Sequence, residues 1–216
     1  MLTLVIGNKN YSSWSLRPWL LLRQAQLPFT EVRVPLYNDP EYKRNILRYS
    51  PSGKVPALID GDISVWESLA ICEYIAERYP EKRLWPADPA ARALARSISS
   101  EMHAGFAKLR EHMSMNCRKQ FPDKGRAPGV QEDIDRICAI WNDCRERFGA
   151  RGPFLFGDFG VADAMYAPVA MRFHTYVVAL DAVSEAYART LLALPSMQEW
   201  IEAARAETEV LAHVEY

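Results

Sequence analysis

Three serines crowd one short stretch of this chain, Ser12, Ser13 and Ser15, with Trp14 between them and Arg17 just beyond. They follow a brief β-compatible run, Leu2, Leu4, Val5 and Ile6, and a segment from Gly7 to Asn10 whose residues tolerate turns. After them Leu16, Trp19, Leu20 and Arg23 fall at helical spacing, so the hydroxyls stand where a strand becomes a helix. Pro18 suits that helix only in its first turn. At a helix start the leading N–H groups lack intrahelical partners and the dipole presents partial positive charge, which together favour a bound anion. One serine there is an ordinary N-cap, but three hydroxyls exceed what capping needs. Two further pairs carry chemistry: Val55-Pro56, preceded by Lys54, and Glu67-Ser68 ahead of an apolar run. Singly, each is a common strand lead-in or helix start.

The elements that must position these groups are readable from periodicity. Phe29 to Leu36 alternates Thr30, Val32 and Val34 against Glu31 and Arg33, so strand, helix and strand imply a parallel pair. Asp39 to Tyr49 reads as a short helix opened by Asp39-Pro40, with Tyr42, Ile46 and Tyr49 on one face. Lys54 to Ile59 and Ile63 to Trp66 are short β runs about Asp60-Gly61-Asp62, an antiparallel hairpin. From Glu67-Ser68 the pattern is helical through Leu69, Cys72 and Tyr79 until Pro80. The order βαβ, helix, ββα predicts an α/β module of thioredoxin type over residues 1–80.

Pro80, Pro86 and Pro89 then punctuate a segment holding Leu84 and Trp85, a linker over 81–89 pinned by an apolar anchor. Beyond it, over 90–216, the pattern is all-α. Leu94, Ile98, Met102, Phe106, Leu109 and Met113 predict one face of a single long helix. Val130 to Phe148 gives a second, Val161 to about Val178 an apolar third despite Pro168, and Pro195 to Ala206 a last, with loops at 121–129 and 149–160.

Composition restricts the partners. With 26 Lys and Arg against 27 Asp and Glu the net charge is -1, so no overall basic field recruits nucleic acid or an acidic membrane. No apolar run approaches a membrane span and no leader pattern precedes the first strand, from which a cytoplasmic location is expected. Cys72, Cys117, Cys138 and Cys144 lack CxxC spacing, so neither a disulfide framework nor a metal site is expected.

In combination, with 43 residues from Ser13 to Pro56 and 11 from Pro56 to Glu67, these motifs resemble those of a glutathione transferase over nearly the whole chain. The zeta class looks nearest: its Ser-Ser-Cys-Ser signature with a following Arg is here Ser12-Ser13-Trp14-Ser15 with Arg17. The resemblance implies the glutathione transferase fold, a thioredoxin-like α/β domain followed by an all-α domain, acting as a homodimer in detoxification. It implies a cis Val55-Pro56 bond, with Val55 pairing its backbone to the cysteinyl part of glutathione like an added strand. Glu67 and Ser68 then hold the γ-glutamyl end, the helix-start Ser68 suiting a carboxylate and Glu67 an ammonium, while Lys54 is a candidate for the glycyl carboxylate.

A thiol of ordinary pKa, about 8.5, is mostly protonated at neutral pH, and only its thiolate attacks. A serine hydroxyl donating to sulfur beside a helix N-terminus favours the anion. By the resemblance Ser12 aligns with the catalytic first serine and Ser13 is second choice; Tyr11 lies one residue out of register. Trp14, His103 and Arg110 are expected around the small electrophile, with Phe106, Met113 and Cys117 nearby but better suited to the core. Two departures stand out. Trp14 replaces the zeta cysteine, which weakens the case for a maleylacetoacetate isomerase. Gly160-Val161-Ala162-Asp163 lacks the hydroxyl half of a capping box, leaving Asp163 a structural role. The expected activity is conjugation, with glutathione-dependent isomerisation and a non-catalytic binding member as alternatives.

Overall fold

A computed structural model describes residues 1–37 and 40–216. Its first part is a four-stranded sheet in the order β2-β1-β3-β4, formed by β1 (Leu2–Ile6), β2 (Phe29–Arg33), β3 (Ala57–Asp60) and β4 (Ile63–Trp66). β1 pairs parallel to β2 and antiparallel to β3, and β3 pairs antiparallel to β4, as the pattern predicts. Along β1 the side chains alternate between two apolar layers. Leu2, Leu4 and Ile6 face the main core with helices α1 (Ser13–Gln24) and α3 (Ser68–Arg78), while Val5 faces a smaller cluster with Val34, Ala57 and Ile46 of α2 (Tyr42–Leu47). Tyr42 and Tyr49 pack beside Ile46, in line with the expected face. The proposed opening residue of that helix, Asp39, lies outside the described residues.

α1 begins earlier than Pro18 suggests. With its first residue at Ser13, Pro18 sits past the first turn, and its ring removes the N–H that would otherwise bond the Trp14 carbonyl.

The second part is helical: α4 (Pro89–Ala104), α5 (Ala107–His112), α6 (Val130–Phe148), α7 (Val161–Thr175), α8 (Ala182–Leu192) and α9 (Pro195–Ala206). The single helix expected from Leu94 to Met113 is in fact two. Gly105 is extended and Phe106 takes φ 57° in the left-handed region, yet Phe106, Leu109 and Met113 stay buried, so the apolar stepping conceals the break. α8 has no counterpart in the sequence reading, because the residues it buries include Ser184, Ala188 and Tyr187, which make a weak apolar stripe. α7 is buried on nearly every side, as an all-round apolar helix should be, and packs against α1, α3, α4 and α8. It ends at Thr175, short of Val178.

Leu84 and Trp85 fasten the chain between the sheet and the helical part. Leu84 is buried and its carbonyl accepts the Val161 N–H at 3.0 Å, while the Trp85 indole donates to Glu73 at 2.8 Å.

Candidate active site

The turn into α1 is held from three directions. Asn8 Oδ1 accepts the Leu36 N–H at 2.7 Å, and Asn10 Oδ1 accepts the N–H groups of Cys117 and Arg118 at 2.8 and 3.1 Å. The Glu207 carboxylate accepts the N–H groups of Lys9 and Asn10 at 2.7 and 3.1 Å. Ser12 is the N-cap: its Oγ accepts the Ser15 N–H and donates to Ser15 Oγ at 2.7 Å, which in turn accepts the Gly7 N–H at 3.1 Å. Ser13 Oγ instead accepts from the Arg172 guanidinium at 3.0 Å. Both serines are buried, at 6% and 4% exposure. The Tyr11 hydroxyl is fully engaged, donating to Glu215 and accepting from Arg118 at 2.7 Å and from the Leu211 N–H at 3.2 Å, which removes it as a donor to a ligand.

Beside this turn runs a cleft of about 560 Å³ whose walls include Trp14, Tyr42, Lys54, Val55, Pro56 and Glu67. Among the described residues neither Ser12 nor Ser13 is part of those walls; their neighbour Trp14 is. The Val55-Pro56 bond is cis. Glu67, exposed, takes φ 70° ψ 126°, a backbone state that L-residues avoid at a cost of about 1–3 kcal/mol. That conformation delivers the chain into α3 at Ser68, whose hydroxyl is wholly buried and has no hydrogen-bond partner among the described residues. A buried hydroxyl left unpaired costs about 1–3 kcal/mol, so an acceptor from outside the chain would stabilise it.

Behind Trp14 lies an accumulation of positive charge. The Arg17 guanidinium carbon sits 4.3 Å from the Trp14 ring centre and that of Arg110 5.7 Å, while the His103 ring meets the indole edge-on at 5.3 Å. His103 Nε2 also stands 3.7 Å from a Glu67 carboxylate oxygen, linking α4 to the start of α3. Trp14, His103 and Arg110 are thus neighbours, and Arg110 also donates to the carbonyls of Met102 and Gly105, closing the end of α4. Arg17 is fully buried and donates through Nε to the Met165 carbonyl at 3.2 Å, and among the described residues neither terminal nitrogen has a hydrogen-bond partner. Burial lowers it to about 9, with Arg172 and Arg110 adding to the effect. Burial lowers Arg172 to about 10, again reinforced by Arg110. Among the described residues no carboxylate forms an ion pair with any of the three. Phe106, Met113 and Cys117 are buried core, and burial pushes the Cys117 thiol up to about 12.

Family comparisons bear on this geometry. The model of the glutathione S-transferase N-terminal domain matches residues 11–78 and that of the C-terminal domain residues 93–203. The chain belongs to the glutathione S-transferase family. Among relatives of this family, a zeta-class glutathione S-transferase from Euphorbia esula is 30% identical over 149 residues, covering 68% of this chain and 65% of that one. Glutathione S-transferase GstB of Escherichia coli is 28% identical over 174 residues, 76% of this chain and 80% of its own. A maleylacetoacetate isomerase from Rattus norvegicus is 32% identical over 123 residues, so the chain spans just over half, 55%, of that protein. In fold, the chain is similar to a glutathione transferase homologue from Burkholderia solved with bound glutathione, with TM-score 0.71 at 23% identity over 94% of this chain and 98% of that one. A diazinon-metabolizing glutathione S-transferase of the silkworm Bombyx mori gives 0.73 at 17% identity over 95% and 97%.

Among the polar residues that the sequence reading misses is one that touches a candidate serine directly. Arg172 carries its guanidinium 159 positions along the chain to Ser13. Its signal was a lone arginine within the apolar run from Val161 to Phe173. Such a charge has to be buried with the helix face that carries it. Asp163, by contrast, stands where expected: it accepts the N–H groups of Gly160 and Leu155 at 2.9 and 3.0 Å and the Tyr187 hydroxyl at 2.8 Å.

Proposed function

We propose that the chain is a glutathione transferase that binds glutathione in the cleft beside Pro56 and activates its thiol for attack on a small electrophile. The observation that carries this reading is the unpartnered Ser68 hydroxyl at the start of α3, next to the left-handed Glu67. A helix N-terminus with a free hydroxyl suits the γ-glutamyl carboxylate, and the exposed Glu67 suits its ammonium. The Val55 backbone pairs with the cysteinyl part and Lys54 attracts the glycyl carboxylate. A serine hydroxyl at the start of α1, from Ser12 or Ser13, donates to the sulfur and favours its anion; the electrophile lies against Trp14, His103 and Arg110. In this reading residues 1–80 hold glutathione, 81–89 link, and 90–216 complete the acceptor side. A homodimer in the cytoplasm belongs to the same proposal, and light scattering at a monomeric mass would refute the dimer.

The test is calorimetry with glutathione. Ser68→Ala should weaken binding by about tenfold or more, the worth of a hydrogen bond to a charged group. Unchanged affinity would remove the cleft from consideration.

A second reading is favoured by the guanidiniums of Arg17 and Arg110 over Trp14 and that of Arg172 on the neighbouring Ser13. That charge suits an acidic electrophile, which fits glutathione-dependent isomerisation of the maleylacetoacetate type, the activity named for the rat relative. Failure to turn over maleylacetone would exclude it. A non-catalytic binding member would instead leave the bound thiol titrating as in free solution.

A further inference from the structure

Of the two serines at the opening of α1, only one has a hydroxyl hydrogen to spare. Ser12 accepts the Ser15 N–H and gives its own hydrogen to Ser15 Oγ at 2.7 Å. Ser13 accepts from Arg172 at 3.0 Å, and among the described residues its own hydrogen has no acceptor. A hydroxyl that accepts from a cation is polarised into a better donor, because hydrogen bonds in a chain strengthen one another. Ser13 is also the first residue of α1, where the helix dipole favours negative charge.

Arg172 is held from two sides. Its Nε donates to the Met113 carbonyl at 2.8 Å and its Nη1 reaches the Pro168 carbonyl at 3.5 Å, which fixes the guanidinium plane and aims Nη2 at Ser13. The residue is 4% exposed and no carboxylate pairs with it among the described residues. The ionisable groups around it are Arg17 of α1, Arg110 of α5, and Tyr176 and Cys117, none of which supplies a negative charge at neutral pH. A buried cation with no counterion is costly unless an anion visits.

We propose that Ser13, rather than Ser12, donates to the glutathione sulfur, and that Arg172 is the positioning residue that orients and polarises Ser13 from the helical part of the molecule. Ser12 then caps the helix and ties the turn to Ser15. This rests on the glutathione transferase reading above.

The experiment follows the ultraviolet absorbance of the thiolate of bound glutathione against pH, with thermal melting recorded for every variant. Ser13→Ala should raise the apparent thiol pKa by about one unit or more, a tenfold or larger loss of thiolate at neutral pH. Ser13→Thr, which keeps the hydroxyl, should restore most of the loss. Arg172→Met should raise the pKa in the same direction, and the double variant should rise by less than the two single effects added. If Arg172→Met does not fold, Arg172→Lys takes its place: it keeps the charge without the planar fork and should give a smaller rise. Ser12→Ala should lower the melting temperature through the lost cap and raise the thiol pKa by less than Ser13→Ala does. A rise in Ser12→Ala with none in Ser13→Ala overturns the proposal while sparing the transferase reading. An Arg172 variant that only melts earlier, its thiol pKa unmoved, overturns the role of Arg172. A parent protein whose bound thiol titrates like free glutathione overturns both.

Discussion

The Trp14 indole stands between the cleft and a buried cation, with Arg17 on its ring at 4.3 Å and His103 against its edge. A guanidinium over an indole contributes about 0.5–2 kcal/mol, more when desolvated. Trp14→Ala should therefore lower stability by about 1–3 kcal/mol in chemical denaturation. It should also raise the KM for the electrophile while leaving the affinity for glutathione within a few fold; a loss confined to glutathione would place the indole elsewhere in the mechanism. His103 is held below its usual range by burial and by Arg17, with Glu67 pulling the other way. Between the folded pKa and the unfolded value of about 6.5 the unfolded chain binds a proton that the folded chain refuses, so this contribution is present above that window and lost as pH falls through it. Proton NMR should show the His103 ring titrating below pH 6.5 or so, and a normal titration would contradict the burial. At this scale the backbone placement of Ser12, Ser13, Val55-Pro56 and Glu67-Ser68 was legible, because each sits at a local junction whose backbone chemistry is written in neighbouring residues. Arg172 was not legible as a partner of Ser13, since nothing local specifies which surface a lone arginine will meet.

Among the elements, the strands and their pairing followed from period-2 patterns and turn residues, whereas the break between α4 and α5 did not. Gly105 has no room for a side chain, a Cβ there lying 2.7 Å from the Glu101 carbonyl oxygen, yet the buried positions on either side keep the spacing of one continuous helix. Periodicity reports which residues are buried and is blind to a turn that preserves the count. α7 is the element on which both parts converge, and Asp163 fixes its start by taking three hydrogen bonds. Asp163→Ala should cost about 2–4 kcal/mol, since it strands buried donors, and the melting temperature should fall accordingly. Burial nonetheless pushes this carboxyl up to about 6, its three hydrogen bonds and the backbone at the helix start opposing the shift. With the folded value above the unfolded one of about 3.9, the folded state holds the extra proton in between, so this group's contribution declines as pH rises from about 4 to 6. Relative to Asp163→Asn, which has no such titration, the parent should lose stability across that interval. A constant difference in melting temperature from pH 4 to 6 or so would mean that the hydrogen bonds outweigh the burial.

Over the whole molecule, the site is assembled from two parts that meet along α1 and α7, and a third contributor is the segment after α9. Glu207 accepts the Lys9 and Asn10 N–H groups, Glu215 takes the Tyr11 hydroxyl, and Arg118 spans the carbonyls of Glu207 and Glu209 and the Tyr11 oxygen. These contacts bind the turn that precedes Ser12 and Ser13 to residues nearly 200 positions later, a closure that no sequence pattern announces. They hold the two hydroxyls in place within the chain itself, and if these hydroxyls meet glutathione as proposed, that lowers the ordering its binding requires. Glu207→Ala releases two backbone N–H groups at once. Amide exchange at Lys9 and Asn10 should then accelerate by about tenfold to a hundredfold, the consequence of losing roughly 1–3 kcal/mol of local protection. If the turn positions the thiol's donor, the pKa of bound glutathione should rise in the same variant, with kcat falling more than the affinity for glutathione. Faster exchange with an unmoved thiol pKa would show that the segment after α9 stabilises the fold without setting the geometry at the sulfur.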